Sequence, residues 1–112
     1  MDERARRIGL NEAVFRQVNE RIEELADTFG LTNEKLDLIC ECGSATCSDR
    51  IEMDHREYEA LRSDSATFAV VRGHEILDVE EVVQRRPAYD VVRKRAGDAK
   101  QVAEETDPRA ED

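Results

Sequence analysis

All three cysteines of this 112-residue chain fall within eight residues, in the order Cys40-Glu-Cys42-Gly-Ser-Ala-Thr-Cys47. Thiols crowded in this way serve packing poorly, because a core draws apolar side chains from several elements at once. They suit a metal ion, which gathers thiolates at about 2.3 Å in a tetrahedral set. A fourth donor is then required, and the chain offers two histidines. His74 follows Gly73 in VRGHEI, at an expected strand end, where a loop can aim the imidazole inward. His55 opens an expected helix, a position less suited to ligation, so it stands as the alternative. The expected centre is Zn2+ on Cys40, Cys42, Cys47 and His74, since thiolate and imidazole in a tetrahedral set favour zinc. A [2Fe–2S] cluster also accepts three cysteines and a histidine. Cluster proteins with that set keep the histidine close after the last cysteine, and here 27 residues separate Cys47 from His74.

A metal staple matters in a chain of this size. The segment 96–112, AGDAKQVAEETDPRAED, has six acids, two bases and no apolar residue larger than valine, and it reads as a disordered acidic tail. Residues 1–95 are left to form one small α+β zinc-binding domain, a helix over 10–29 followed by a body over 34–95. A domain this short buries only about 60–65 % of its unfolded surface.

The helix is expected from Leu10, Val14, Val18, Ile22, Leu25 and Phe29, which recur every three or four residues as one apolar stripe. Asn11 reads as its N-cap and Gly30 as its stop. Core packing is the first use for that stripe, and its outer part offers a face for a homodimer. From Leu36 the period becomes two: Leu36, Leu38, Cys40 and Cys42 share one side of a strand, which delivers two thiols together. RIEM (50–53) reads as the returning strand. Asp54 and Glu57 form a capping box before a helix that buries Tyr58 and Leu61. TFAVVR (67–72) is a strand, VEEVVQRR a helix announced by Asp78 and Glu81, and YDVVRK (89–94) a closing strand.

The net charge of −10 argues against nucleic-acid binding, because a phosphate backbone repels such a chain at long range. Bases gather only in RRPAYDVVRKR, where Arg85, Arg86, Arg93, Lys94 and Arg95 face a single Asp90. That cluster reads as an edge strand guarded by charge, with a narrow contact to an anionic partner as the alternative. The opening MDERARRIGL lacks an apolar h-region and no apolar run approaches a membrane span, so a cytoplasmic location is expected. An odd number of cysteines fits that reducing compartment.

The stretches NEAVFRQVNERIEEL, ICECGSATCSDRIEMD, EYEALR, FAVVRGHEI, VVQRRPAYDVVRK and DPR together resemble a family of small, uncharacterised actinobacterial proteins, over roughly residues 8–109. That family's motif, C-E-C-x4-C followed by G-H-E, lands on Cys40, Cys42, Cys47 and His74. Its counterpart of Met53-Asp54-His55 usually lacks the histidine. The resemblance therefore implies His74 as the fourth ligand, and it implies no activity or partner.

Four function classes follow. A closed Cys3His site makes a zinc-stabilised protein-interaction or regulatory module. Exposed thiolates make a redox sensor that releases metal on oxidation. An enzyme would leave one zinc position open and use Glu41, Glu75 or Asp54 as general base, but no H-E-x-x-H, P-loop or nucleophile elbow accompanies them. A nucleic-acid binder conflicts with the charge.

Overall fold

The computed structural model describes residues 3–31 and 33–109. It is a mixed α+β arrangement: a long helix α1 (Glu3–Thr28), a hairpin of β1 (Leu36–Ile39) and β2 (Arg50–Met53), and helix α2 (His55–Arg62). Strands β3 (Thr67–Val70), β4 (Glu80–Arg85) and β5 (Asp90–Lys94) follow, and α3 (Asp98–Glu105) ends the order. The strands form two antiparallel sheets, β1-β2 and β3-β5-β4. Asp54 caps α2 in a full capping box with Glu57, as the sequence predicts.

α1 is built inside out relative to the sequence expectation. It begins at Glu3, so Asn11 lies in mid-helix and is no cap. Its buried side is Ala5, Ile8, Gly9, Glu12, Arg16, Asn19 and Glu23. Leu10, Val14, Val18, Leu25 and Phe29, the expected core stripe, are exposed, and only Ile22 is half-buried. The polar side is buried because every long side chain on it has a specific partner. Arg16 donates to the carbonyls of Ser65 and Ala103 at 2.7 Å, and Asn19 brackets the backbone of Ile39, donating to its carbonyl and accepting from its amide. Glu12 meets the Lys94 ammonium, which also holds Glu80. At the centre, the Phe68 ring has Arg16, Lys94 and Arg62 within 4.9, 5.6 and 5.7 Å of its centroid. The ring face offsets part of the cost of burying three cations. Tyr58, Leu38, Met53 and Val92 complete this core.

Three further expectations change. The segment read as the helix VEEVVQRR is the edge strand β4, with a register shift between Val82 and Gln84. Its valines are stiff at χ1 and favour extended backbone. The apparent cap residue Asp78 is instead drawn to Arg4. β5, expected at the edge, is central in its sheet, and its charges are matched inside: Asp90 is buried between Arg72 and Arg85. Finally, residues 98–105 of the expected disordered tail form α3, with Ala99, Val102 and Ala103 buried against α1. Small residues on both helices allow that approach: a Cβ on Gly9 would lie 3.0 Å from the Val102 Cβ. Arg109 then ties the chain to Glu20, Glu23 and Glu59. Residues 110–112 of the expected tail lie outside the described residues.

One lysine cannot neutralise two carboxylates. Burial, with the Glu80 charge adding to it and Lys94 opposing, pushes Glu12 up from 4.5 to about 8. Burial likewise lifts Glu23 to about 8. The folded state therefore holds more protons than the unfolded one between pH 4.5 and 8, and these groups' stabilisation is lost as pH rises through that window. Glu12→Gln copies the protonated form, so its melting temperature relative to wild type should rise steadily from pH 5 to pH 8. A constant difference across a thermal-melt series in that range would contradict the assignment.

Candidate metal centre

β1 stops at Ile39, and the two residues that matter follow it. Cys40 continues the hairpin by donating its amide to the Asp49 carbonyl at 2.8 Å. Glu41 then crosses to the other sheet, with its amide on the Ala69 carbonyl at 2.8 Å. The near-extended alternation survives this crossing: Cys40 and Cys42 share one side, while Glu41 is fully buried on the other. There Glu41 accepts from Arg62 at 2.8 and 3.1 Å, from Asn19 at 2.7 Å and from the Ala69 amide at 3.0 Å.

The next residue must be glycine for lack of room. A Cβ on Gly43 would sit 2.5 Å from Cγ2 of Ile8 and 2.9 Å from Cδ1 of Ile76. Asn11 of α1 holds the Gly43 carbonyl at 2.8 Å. The chain then turns and brings Cys47 back, its amide on Ser44 at 3.2 Å. His74 arrives from the second sheet, four residues after β3 ends at Val70. Gly73, at φ +93°, makes a turn that side chains rarely adopt, and the His74 amide closes it on Val71.

The ligand atoms of Cys40, Cys42, Cys47 and His74 all lie within 4.8 Å of one another. Nδ1 of His74 is 3.5 Å from Sγ of Cys40 and 3.6 Å from Sγ of Cys47. A tetrahedral ion with bonds of about 2.3 Å to sulfur and 2.0–2.1 Å to nitrogen has sulfur–nitrogen edges of roughly 3.5–3.6 Å. The residues fit a single ion at their centre. No disulfide joins any of the three thiols. All four residues that the sequence nominates are thus brought together. His55 is engaged elsewhere, 3.6 Å from Asp27 and 3.8 Å from Glu23.

Electrostatics among the donors favours one thiolate in advance. The hydrogen bond from Cys40, aided by the Ser44 amide, draws Cys42 down to about 5 against the opposing effect of burial. The same bond and its burial push Cys40 far up, and burial raises Cys47. The Val71 amide points at the Cys40 sulfur from 3.2 Å.

The sequence gives no sign of a fifth participant. Asp49 lies 3.4 Å from Nε2 of His74, on the side of the ring away from the sulfurs. A carboxylate there fixes which ring nitrogen faces the three sulfurs. Nothing in the spacing of C-x4-C marks an aspartate two residues later. Asn19 also escapes motif reading, although its signal is present: polar residues at 12, 16, 19 and 23 recur with helical period.

The three carboxylates considered as catalytic bases are committed. Glu41 is paired with Arg62, Asp54 caps α2, and Glu75 accepts from the Gly73 amide at 2.9 Å. Beside the donors is an open cleft of about 430 Å³ lined by Ser44, Thr46, Asp49 and Ile76 together with Cys47 and His74. No helix among the described residues is long and apolar enough to cross a membrane. Comparison with protein-family models, with curated proteins and with solved structures finds no match to this chain.

Proposed function

We propose that this chain is a zinc-stabilised protein-interaction module, in which one structural Zn2+ on Cys40, Cys42, Cys47 and His74 locks the β1-β2 hairpin to the β3 side of the fold. The carrying observation is the convergence of the four donors within 4.8 Å, with the His74 Nδ1 at 3.5 and 3.6 Å from the Cys40 and Cys47 sulfurs, the edge lengths of a tetrahedral site. Four protein ligands leave the ion no open position for water or substrate, so the site is structural. The engagement of Glu41, Asp54 and Glu75 supports the same conclusion, since the three carboxylates weighed as general bases are each held by another partner. Zinc is preferred over a two-iron cluster because four ligands on two metal atoms spread farther apart than these do. A cytoplasmic, reducing setting keeps such thiols available for metal. The resemblance of the sequence motif to small actinobacterial proteins implies the same ligand set and no activity.

One observation supports a second use of the same site. Cys47 is half-exposed at the cleft, while Cys40 and Cys42 are buried. A peroxide could oxidise the Cys47 thiolate to a sulfenate with loss of water. A neighbouring thiol would then displace the second oxygen as water, leaving a disulfide and a freed ion. The interaction module would in that case be regulated by oxidant.

Elemental analysis of untagged protein tests both readings. One zinc per chain is expected, lost when any of Cys40, Cys42, Cys47 or His74 is replaced and retained in His55→Ala. Zinc absent from the wild type, or surviving His74→Ala, overturns the assignment. Zinc that stays bound under mild peroxide removes the oxidant switch alone.

A further inference from the structure

The outward stripe of α1 is the largest feature that the metal centre does not explain. Leu10, Val14, Val18, Leu25 and Phe29 follow one another at helical spacing on the side opposite the buried residues, with Val14 60 % and Phe29 72 % exposed. Arg21 occupies the break between Val18 and Leu25 and is held by Glu24. A 26-residue helix runs about 39 Å, nearly the full 44 Å length of the molecule. At its C-terminal end the stripe opens into an apolar cleft of about 240 Å³ bounded by Ile22, Leu25, Ala26, Phe29, Leu31 and Leu36. An apolar face this long on a chain that is otherwise 39 % charged marks an interaction site.

The charges beside the stripe indicate what covers it. Near its start the exposed charges are Glu3, Arg4, Arg6 and Arg7, a net +2, and near its end they are Arg21, Glu24, Asp27, Glu34 and Lys35, a net −1. We infer that two copies of this chain pair through α1 in antiparallel order. A parallel pair would set arginine against arginine and acid against acid. In an antiparallel pair centred between Gln17 and Val18, Leu10 lies across from Leu25 of the second copy, beside its apolar cleft. Arg7 then lies across from the turn that carries Glu24 and Asp27 of the second copy. Both halves of the contact are identical, as a two-fold interface requires. The exposed parts of the five stripe residues supply on the order of 450 Å² of apolar surface per copy. With the flanking charged side chains, two copies reach the ~1,000 Å² that a specific interface needs. The inversion of α1 follows from this arrangement: its polar side specifies the fold and its apolar side the partner. The inference deepens the interaction-module reading by naming the partner, and zinc content measured on the same samples separates the failure of either.

Sedimentation equilibrium on the full chain, from low micromolar to several hundred micromolar, should show twice the 12.8 kDa chain mass. Val14→Glu with Leu25→Glu should give a monomer with unchanged circular dichroism and unchanged zinc, because both side chains are exposed in the single chain. Arg7→Glu should weaken the dimer by about tenfold, and adding Glu24→Arg in the same chain should restore it. A wild type that stays monomeric throughout overturns the inference and assigns the stripe to a different protein. A dimer that survives Val14→Glu with Leu25→Glu also overturns it. A dimer weakened by Arg7→Glu and not restored by Glu24→Arg excludes the antiparallel order.

Discussion

Protein stripped of its metal is expected to lose its cooperative unfolding transition, or to melt at least about 12 °C below the zinc-bound form. The donors explain the size of this effect. Cys40 and Cys42 extend from β1, Cys47 closes the loop to β2, and His74 belongs to the turn after β3. Away from this centre, the crossing between the two sheets rests on few backbone bonds, the Glu41 amide on Ala69 among them. Structural zinc contributes about 10–16 kcal/mol in peptides that have no other fold. Here the polar anchoring of α1 also holds the hairpin, so a loss of about 3–5 kcal/mol is the fitting scale. At about 4–8 °C per kcal/mol for a domain near this size, that is roughly 12–40 °C. Cys42→Ser should reproduce most of the loss, because it removes a buried donor. Calorimetry with and without chelator measures it. An identical transition in both samples would show that the donors are gathered for another reason.

The site was more legible in the sequence than the fold around it. Thiols and histidines are rare in this chain, so their spacing carries information that survives ignorance of topology: Cys40, Cys42, Cys47 and His74 converge as nominated. The hairpin and the Asp54–Glu57 box were legible for a similar reason, since each is decided within a few residues. α1 was misread because helical period reveals that a helix has two faces and leaves open which of them is buried. Here the apolar face lost. Arg16, Asn19 and Glu12 find carbonyls, an amide and an ammonium that no local pattern can foresee. α3 was missed because its contact with Gly9 uses alanines, which score as weakly apolar yet bury well when helices approach closely. For β4, Asp78 and Glu81 imitate a cap, and pairing with β5 overrides that cue.

The same reasoning makes the Glu41–Arg62 pair the second large test. Both side chains are buried, with 0 % and 1 % of their surface exposed, and they are joined by two hydrogen bonds. Removing one partner leaves the other charge buried and unpaired, at a cost of about 3–5 kcal/mol. Glu41→Gln and Arg62→Met should each destabilise on that scale. The double variant should be far less damaged than the sum of the two, because neither charge is then stranded. Glu41 has a further consequence that an ordinary core residue lacks. It lies between Cys40 and Cys42, and its bonds to Arg62, Asn19 and the Ala69 amide set the direction of the backbone that carries both sulfurs. Glu41→Gln should therefore weaken zinc binding by at least about tenfold in a chelator competition, as loss of support around metal ligands does elsewhere. A core truncation of similar stability cost that removes no bond to Glu41, such as Leu61→Ala in α2, should leave zinc affinity nearly unchanged. If both variants lose zinc equally, Glu41 contributes stability alone and does not aim the thiols.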